Sequence, residues 1–115
     1  GQEIPTWKFK ELTEAENVSQ IILRLEGTSY YNPLKDSIEE YNKEKSVQIL
    51  ENTLDGYFLK IVKDLSIQNY TTVGPTIRFI VSKEFEIKNL KIIAKGVSEN
   101  LSSDFIKNLL IMGAI

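Results

Sequence analysis

Apolar residues recur at intervals of three and four along most of this chain, a spacing that places them on one face of an α-helix. The first such stripe consists of Val18, Ile21, Ile22 and Leu25. The sequence offers two possible N-terminal caps for a helix that carries this stripe. Residues 13–16 have the form of a capping box, and Asn17 with Gln20 is the alternative. Gly27 supplies a C-terminal stop. The pattern therefore predicts a short helix that ends before Gly27.

Two further stripes predict the next helices. Asn32-Pro33 opens one of them, with Pro33 at its first position. Its apolar face consists of Leu34, Ile38 and Tyr41. Ser46 can cap a longer helix, whose apolar face consists of Val47, Leu50, Leu54, Tyr57, Phe58, Ile61 and Leu65. Gly56 lies on the other side of this helix, where either an exposed face tolerates it or a partner backbone approaches closely.

The most informative segment follows a predicted loop at residues 67–74. Pro75 lies in the first turn of a helix that we expect to end near residues 96–100. This helix has two apolar sectors, Phe79-Ile80-Ile87-Leu90-Ala94 and Val81-Phe85-Ile92. A surface helix needs only one apolar stripe, so two sectors predict a helix packed between neighbours.

Polar stripes separate the two apolar sectors. One of them contains Lys88, Lys91 and Lys95, which we interpret as a solvated face, with a partner-facing basic stripe as the alternative. The other consists of Arg78, Ser82, Glu86 and Asn89. Flanked by buried sectors, these groups need hydrogen-bond partners from other helices. We interpret them as a structural polar seam; the alternative is an interface.

A final helix and a short N-terminal segment complete the expected fold. Residues 101–104 cap the last helix, which carries Phe105, Ile106, Leu109 and Leu110. Residues 1–12 are predicted to be irregular, with room for a short strand only over residues 4–9. The sequence thus predicts an all-α bundle of about five helices, forming a single domain over residues 1–115.

Composition narrows the function. The 115 residues carry a net charge of −2, from 14 basic and 16 acidic side chains, which argues against a basic nucleic-acid footprint. The chain contains neither His nor Cys, the commonest general base and a frequent metal ligand. No apolar run is long enough to span a membrane and no signal peptide opens the chain, so we expect an intracellular protein. A first residue other than Met and an apolar final segment indicate a piece of a longer protein.

Candidate catalytic and metal-binding groups are few. Glu84 and Glu86 resemble a carboxylate pair, but residues two apart on a helix point about 200° away from each other. Glu40 and Glu44 share a helix face, yet no second acidic helix matches them, so solvated charge is the better interpretation. Phosphate-binding glycine loops and nucleophile motifs do not occur. We therefore predict no catalytic residue, no metal site and no cofactor.

Three blocks of sequence resemble a known family in their order and spacing. They are Leu23–Tyr31, Leu50–Asp55 leading to Tyr57-Phe58, and Glu84–Lys91, with Pro75 nine residues before the last block. Together they resemble the C subunit of the archaeal and bacterial A/V-type ATP synthases, the counterpart of the d subunit in the eukaryotic vacuolar ATPase. The chain departs from the family pattern at Glu86, where Asp is usual, at Gly56, and at residues 112–114.

The resemblance implies a non-catalytic role. Family members are funnels of three similar helical domains, and this chain resembles the middle one. They connect the central stalk to the membrane proteolipid ring and transmit rotation, which couples ATP synthesis to proton or sodium transport. The implied partners are stalk subunits, the ring and the other domains of the parent chain. The implied location is peripheral, on the cytoplasmic side of the membrane. The alternative is an unrelated all-helical protein-interaction module.

Overall fold

Residues 3–68 and 73–111 are described by the computed structural model, with side chains described for 3–65 and 74–111. This part of the chain contains helices and no strand, which confirms the predicted all-α class. The helices are α1 (Thr6–Leu12), α2 (Val18–Arg24), α3 (Tyr31–Glu44), α4 (Gln48–Gln68), α5 (Val73–Ser98) and α6 (Ser103–Leu109). The additional helix, compared with the five expected, is α1.

The N-terminal prediction was wrong, because residues 6–12 are helical and residues 4–9 form no strand. Pro5 precedes the helix with an extended backbone, a favourable position for a residue that lacks an N–H donor. Phe9 and Leu12 face the core one turn apart. A helix of seven residues shows only one such repeat, which is too little for a periodic signal.

The start of α2 distinguishes the two predicted caps. The Asn17 side chain accepts a hydrogen bond from the Gln20 N–H at 2.9 Å, and the Gln20 side chain accepts one from the Glu16 N–H at 2.9 Å. This reciprocal arrangement confirms the Asn17 alternative. The capping box over 13–16 was wrong, since Thr13 instead ends α1 and donates to the Lys10 carbonyl at 2.6 Å.

Other boundaries differ by one or two residues from those expected. Pro33 is the third residue of α3 rather than the first, a position where its missing N–H costs nothing because first-turn donors have no helical partner. The predicted loop at 67–74 was wrong at both ends, since α4 continues to Gln68 and α5 begins at Val73. Residues 69–72 lie outside the described part. The predicted end of α5 and the Ser102 cap of α6, which accepts from the Phe105 N–H, are confirmed.

The fold centres on α5, which packs against α1, α2, α4 and α6. The part of α5 from Ser82 onward lies in the core, to which it contributes Ile87, Leu90, Ile93 and Val97. The part before Ser82 does not, because Phe79 is exposed and Ile80 and Val81 are only half-buried. The prediction of a helix packed between neighbours therefore describes only the part of α5 from Ser82 onward. Among the described helices, none is both long and apolar enough to span a membrane.

Candidate functional site

Three of the four predicted seam residues point into the molecule. Ser82, Glu86 and Asn89 are buried on α5, and the Glu86 side chain has no exposed surface. Arg78, two turns before Glu86, is exposed and does not join them. The structure thus brings together a buried polar face of three residues at the centre of the helix.

Glu86 joins three parts of the chain. Its Oε2 accepts a hydrogen bond from the Ile4 backbone N–H at 2.7 Å, and its Oε1 accepts one from the Tyr30 hydroxyl at 2.6 Å. Both partners are remote in sequence, and neither lies on α5. Tyr30 is itself buried, and its ring meets the Tyr57 ring edge-on at 5.6 Å. The carboxylate therefore holds the incoming segment, residues 3–5, and the start of α3 against α5.

Lys83 balances this buried negative charge. Only 4% exposed, it donates to Glu3 Oε1 at 2.5 Å, and its Nζ lies 3.6 Å from Glu86 Oε1. The ammonium also lies over the Tyr30 ring, 5.0 Å from the centroid. Sequence reasoning missed Lys83, because lysine is almost always exposed unless paired. The available signal was its three-residue spacing from Glu86, a neighbouring position on a helix.

The same contacts shift two pKa values. Burial raises the pKa of the Tyr30 hydroxyl far above its ordinary value, and its hydrogen bond to the Glu86 carboxylate raises it further. For Glu3, partial burial acts to raise the pKa, but hydrogen bonds from Lys83 and Ser29 outweigh burial and lower it. Glu3 accepts from both the backbone N–H and the hydroxyl of Ser29. Tyr30 is therefore a neutral donor and Glu3 a charged acceptor near neutral pH.

Asn89 binds the other end of the described chain. Its Nδ2 donates to the Ile111 carbonyl at 2.9 Å, and its Oδ1 accepts from the Ile111 N–H at 2.8 Å. A primary amide carries both a donor and an acceptor, so it can satisfy both polar groups of one backbone residue. The outgoing segment, residues 110–111, is thereby fixed about one helical turn from the position where Glu86 holds the incoming segment.

This arrangement is suited to holding segments together rather than to turning over a substrate. Its charged groups are committed to one another or to the backbone, as the distances above show. Ser82 is buried beside them, and its hydroxyl makes no hydrogen bond to any described residue. The described residues contain no group of three or more acidic side chains that could hold a metal ion. Glu40 and Glu44 are both exposed on α3.

The lysine stripe occupies another face of α5. Lys88 and Lys95 are exposed, whereas Lys91 is half-buried and forms an ion pair at 2.8 Å with Asp55 of α4. A shallow cavity of about 310 Å³ lies beside these lysines and is also lined by Glu51, Ile92 and Ile111. Acidic and apolar groups are thus interspersed with the lysines. A partner for this stripe stays a prediction.

Comparison with known proteins gives one consistent result. Residues 1–109 match the family described as "ATP synthase (C/AC39) subunit". The A-type ATP synthase C subunit of Methanocaldococcus jannaschii is 46% identical over 111 residues, which cover 96% of this chain and 28% of that protein. The C subunit of Methanobrevibacter smithii is 41% identical over 99 residues, covering 86% of this chain and 26% of that protein. No solved structure matches the chain significantly. The chain spans little more than a quarter of the length of these relatives.

Proposed function

The chain belongs to the ATP synthase (C/AC39) subunit family, and from this premise we propose that it is one domain of a non-catalytic connector subunit. In this proposal the subunit links the central stalk of an A-type rotary ATP synthase to the membrane proteolipid ring. It transmits rotation, so that ATP synthesis is coupled to proton or sodium transport. Because the chain belongs to this family, the alternative hypothesis of an unrelated all-helical interaction module no longer applies.

The observation that carries the proposal is the match over nearly the whole chain to proteins named as C subunits of A-type ATP synthases. Since the chain covers 28% of the M. jannaschii protein, we take it to be one of several domains. The middle position among three similar domains is part of the proposal. So is a peripheral location on the cytoplasmic side of the membrane, reached through the complex.

The polar seam supports the mechanical part of the proposal. A part that transmits torque must not deform where chain segments join, and hydrogen bonds to buried charged groups are among the stronger ones in proteins. Glu86 places such bonds near the centre of α5, where the incoming segment meets it, and Asn89 adds two hydrogen bonds between its neutral amide and the outgoing segment. We propose that these residues stiffen the domain and do not contact substrate.

The test uses the full-length subunit with purified central-stalk subunits and, separately, with the proteolipid ring. We expect the subunit to bind both. If all components are folded and the subunit fails to bind the stalk subunits or fails to bind the ring, the connector role is contradicted. In reconstituted complexes, omission of the subunit should leave ATP hydrolysis by the catalytic head intact and abolish ATP-driven ion transport. Restored transport on adding the subunit back is the positive control.

We also propose that the basic stripe of Lys88, Lys91 and Lys95 faces a partner subunit. Lys88 and Lys95 are exposed, each about one turn from Lys91, which is paired with Asp55. Lys88→Glu with Lys95→Glu in the full-length subunit should weaken binding to the partner that contacts this face. Lys43→Glu with Lys45→Glu, at the exposed end of α3, is the matched control. If both double variants bind equally well, the basic stripe is not part of an interface with a partner subunit.

A further inference from the structure

The end of the α4–α5 hairpin distant from the core carries large apolar side chains that are exposed or only half-buried. This distal arm comprises residues 59–68 of α4 and 73–81 of α5, of which the side chains of 59–65 and 74–81 are described. Eight of these fifteen side chains are large and apolar: Leu59, Ile61, Val62, Leu65, Ile77, Phe79, Ile80 and Val81. None of the fifteen is buried, and none of the eight is one of the buried residues that form the core.

This exposure exceeds what single surface residues account for. Leu59 is 67% exposed and Ile77 is 53% exposed, on different helices of the arm. Scattered exposed apolar residues are normal on a protein surface, but a contiguous segment in which half of the positions are apolar indicates an interaction site. Two packed helices can cover only the facing part of each stripe, and stable helical architectures bury the remainder under further helices.

We propose that the distal arm is the docking surface for an apolar helical face of another part of the same parent subunit. The proposal rests on the proposed function in one respect, namely that this chain is one domain of a longer subunit. The relatives are much longer than this chain, which covers 28% and 26% of two of them. Most of such a protein lies outside the present residues and is available to cover the arm.

The anchoring of the chain favours an intramolecular partner over a separate subunit. Val81, where the arm ends, lies five residues or about 7.5 Å along α5 from Glu86, which holds the incoming segment. Asn89, which holds the outgoing segment, is roughly one turn further. Residues 3–5 and 110–111, at the two ends of the described chain, therefore both lie close to the base of the arm. A tethered segment has an effective concentration of the order of millimolar, which favours it over a free partner.

The test measures the reactivity of single cysteines in the full-length subunit, after replacement of any cysteine outside these residues. The reporters are Leu59→Cys and Ile77→Cys, and the matched control is Glu40→Cys, at an exposed position on α3. Each variant is treated with a maleimide in the absence of other subunits. Because both reporters are covered in the proposal, they should react about ten-fold or more slowly than the control, and equally fast only after unfolding in denaturant.

Three results would overturn the proposal. The first is equal reactivity of reporters and control in the folded full-length subunit. The second is protection that appears only when stalk subunits or the ring are added, which would make another subunit the occupant. The third is protection that disappears on dilution to a monomer, which would make a second copy the occupant. Because no stalk subunit is needed, a positive result is independent of stalk binding, and the connector role can fail without affecting it.

Discussion

At the scale of single residues, the decisive feature is a carboxylate with no exposed surface. An unpaired buried charge costs several kcal/mol, so such groups occur only where donors surround them. Glu86 has the Ile4 N–H and the Tyr30 hydroxyl as donors, with the Lys83 ammonium 3.6 Å away. The arrangement stabilises the fold only as a set, because removing any one member leaves another buried polar group without its partner.

Replacement of Glu86 by Leu should therefore destabilise the domain strongly. The variant leaves the Tyr30 hydroxyl unpaired and removes a negative charge beside Lys83, so we expect a loss of about 3 kcal/mol in the free energy of unfolding. Glu84→Leu is the control on the same helix, at an exposed position where changes stay within about 0.5 kcal/mol. Urea denaturation measures both. Similar values for the two variants would mean that Glu86 is hydrated in solution.

The Tyr30 hydroxyl gives a pH-dependent signature of the same site. Its pKa is raised in the folded chain, whereas in the unfolded chain it ionises near the ordinary value of 10.0. This contribution to stability is therefore fully present below pH 10 and declines at higher pH, by up to about 1.4 kcal/mol per pH unit. The stability difference between the wild type and Tyr30→Phe should stay constant from about pH 8 to just below pH 10 and should shrink as the pH rises further to about pH 11. Tyr41→Phe is the control, and a constant Tyr30→Phe difference would contradict the assignment.

At the scale of elements, α5 determines how the other helices are placed. It contacts four helices, and its close approach to α6 depends on Gly96. A Cβ atom added at Gly96 would lie 2.7 Å from two side-chain carbons of Ile106, which is fully buried and has little room to move. Gly56 on α4 is different, since nothing lies within 4 Å of an added Cβ. Within the described part of this domain, no backbone approaches Gly56, which agrees with a tolerated position on an exposed face.

The two glycines should therefore respond oppositely to alanine. Gly56→Ala should stabilise the domain by about 0.5–1 kcal/mol, because alanine is the better helix former and meets open space. Gly96→Ala gains the same propensity but incurs overlap with Ile106, which costs about 1–3 kcal/mol in a packed core. We expect a net loss of stability, measured by thermal or urea denaturation. Stabilisation by both substitutions would show that α5 and α6 can move apart at little cost.

At the scale of the whole molecule, the incoming and outgoing segments meet on one helix. The molecule is elongated, 45 × 29 × 21 Å, and its radius of gyration of 14.4 Å exceeds the roughly 13 Å of a compact chain of this length. The α4–α5 hairpin accounts for the excess, since its distal arm lies outside the core. Within this shape, Glu86 and Asn89 fix both segments near the centre of α5.

Loss of the Asn89 amide should release the outgoing segment without unfolding the helices. In Asn89→Ala the Ile111 N–H loses its acceptor, so its hydrogen exchange should accelerate by about ten-fold or more. The amide of Ile106, bonded to the Ser102 carbonyl within the cap of α6, is the internal control. The Asn89→Asp variant keeps an acceptor for the Ile111 N–H. In this variant the Ile111 amide should exchange at a rate between those in the wild type and in Asn89→Ala. Unchanged exchange at Ile111 would mean that the segment is held by other contacts.

Much of the local structure followed from the sequence. Caps such as Asn17 and Ser102, and the periodic apolar faces of α2 to α5, depend on residues within four positions of each other, which a linear pattern records. The family was also recognisable, from three short blocks in order. The helix α1 was missed, because one helical repeat gives no periodic signal.

Only the tertiary structure decided which polar groups are buried and what they bind. The sequence identified the stripe of Arg78, Ser82, Glu86 and Asn89, but periodicity could not distinguish the exposed Arg78 from the buried Glu86. The partners of Glu86 lie 82 and 56 residues away, at Ile4 and Tyr30, and the burial of Lys83 depends on Glu3, 80 residues away. A helical period specifies the direction of a side chain from its own axis. Which group from a distant segment meets it depends on how the helices pack.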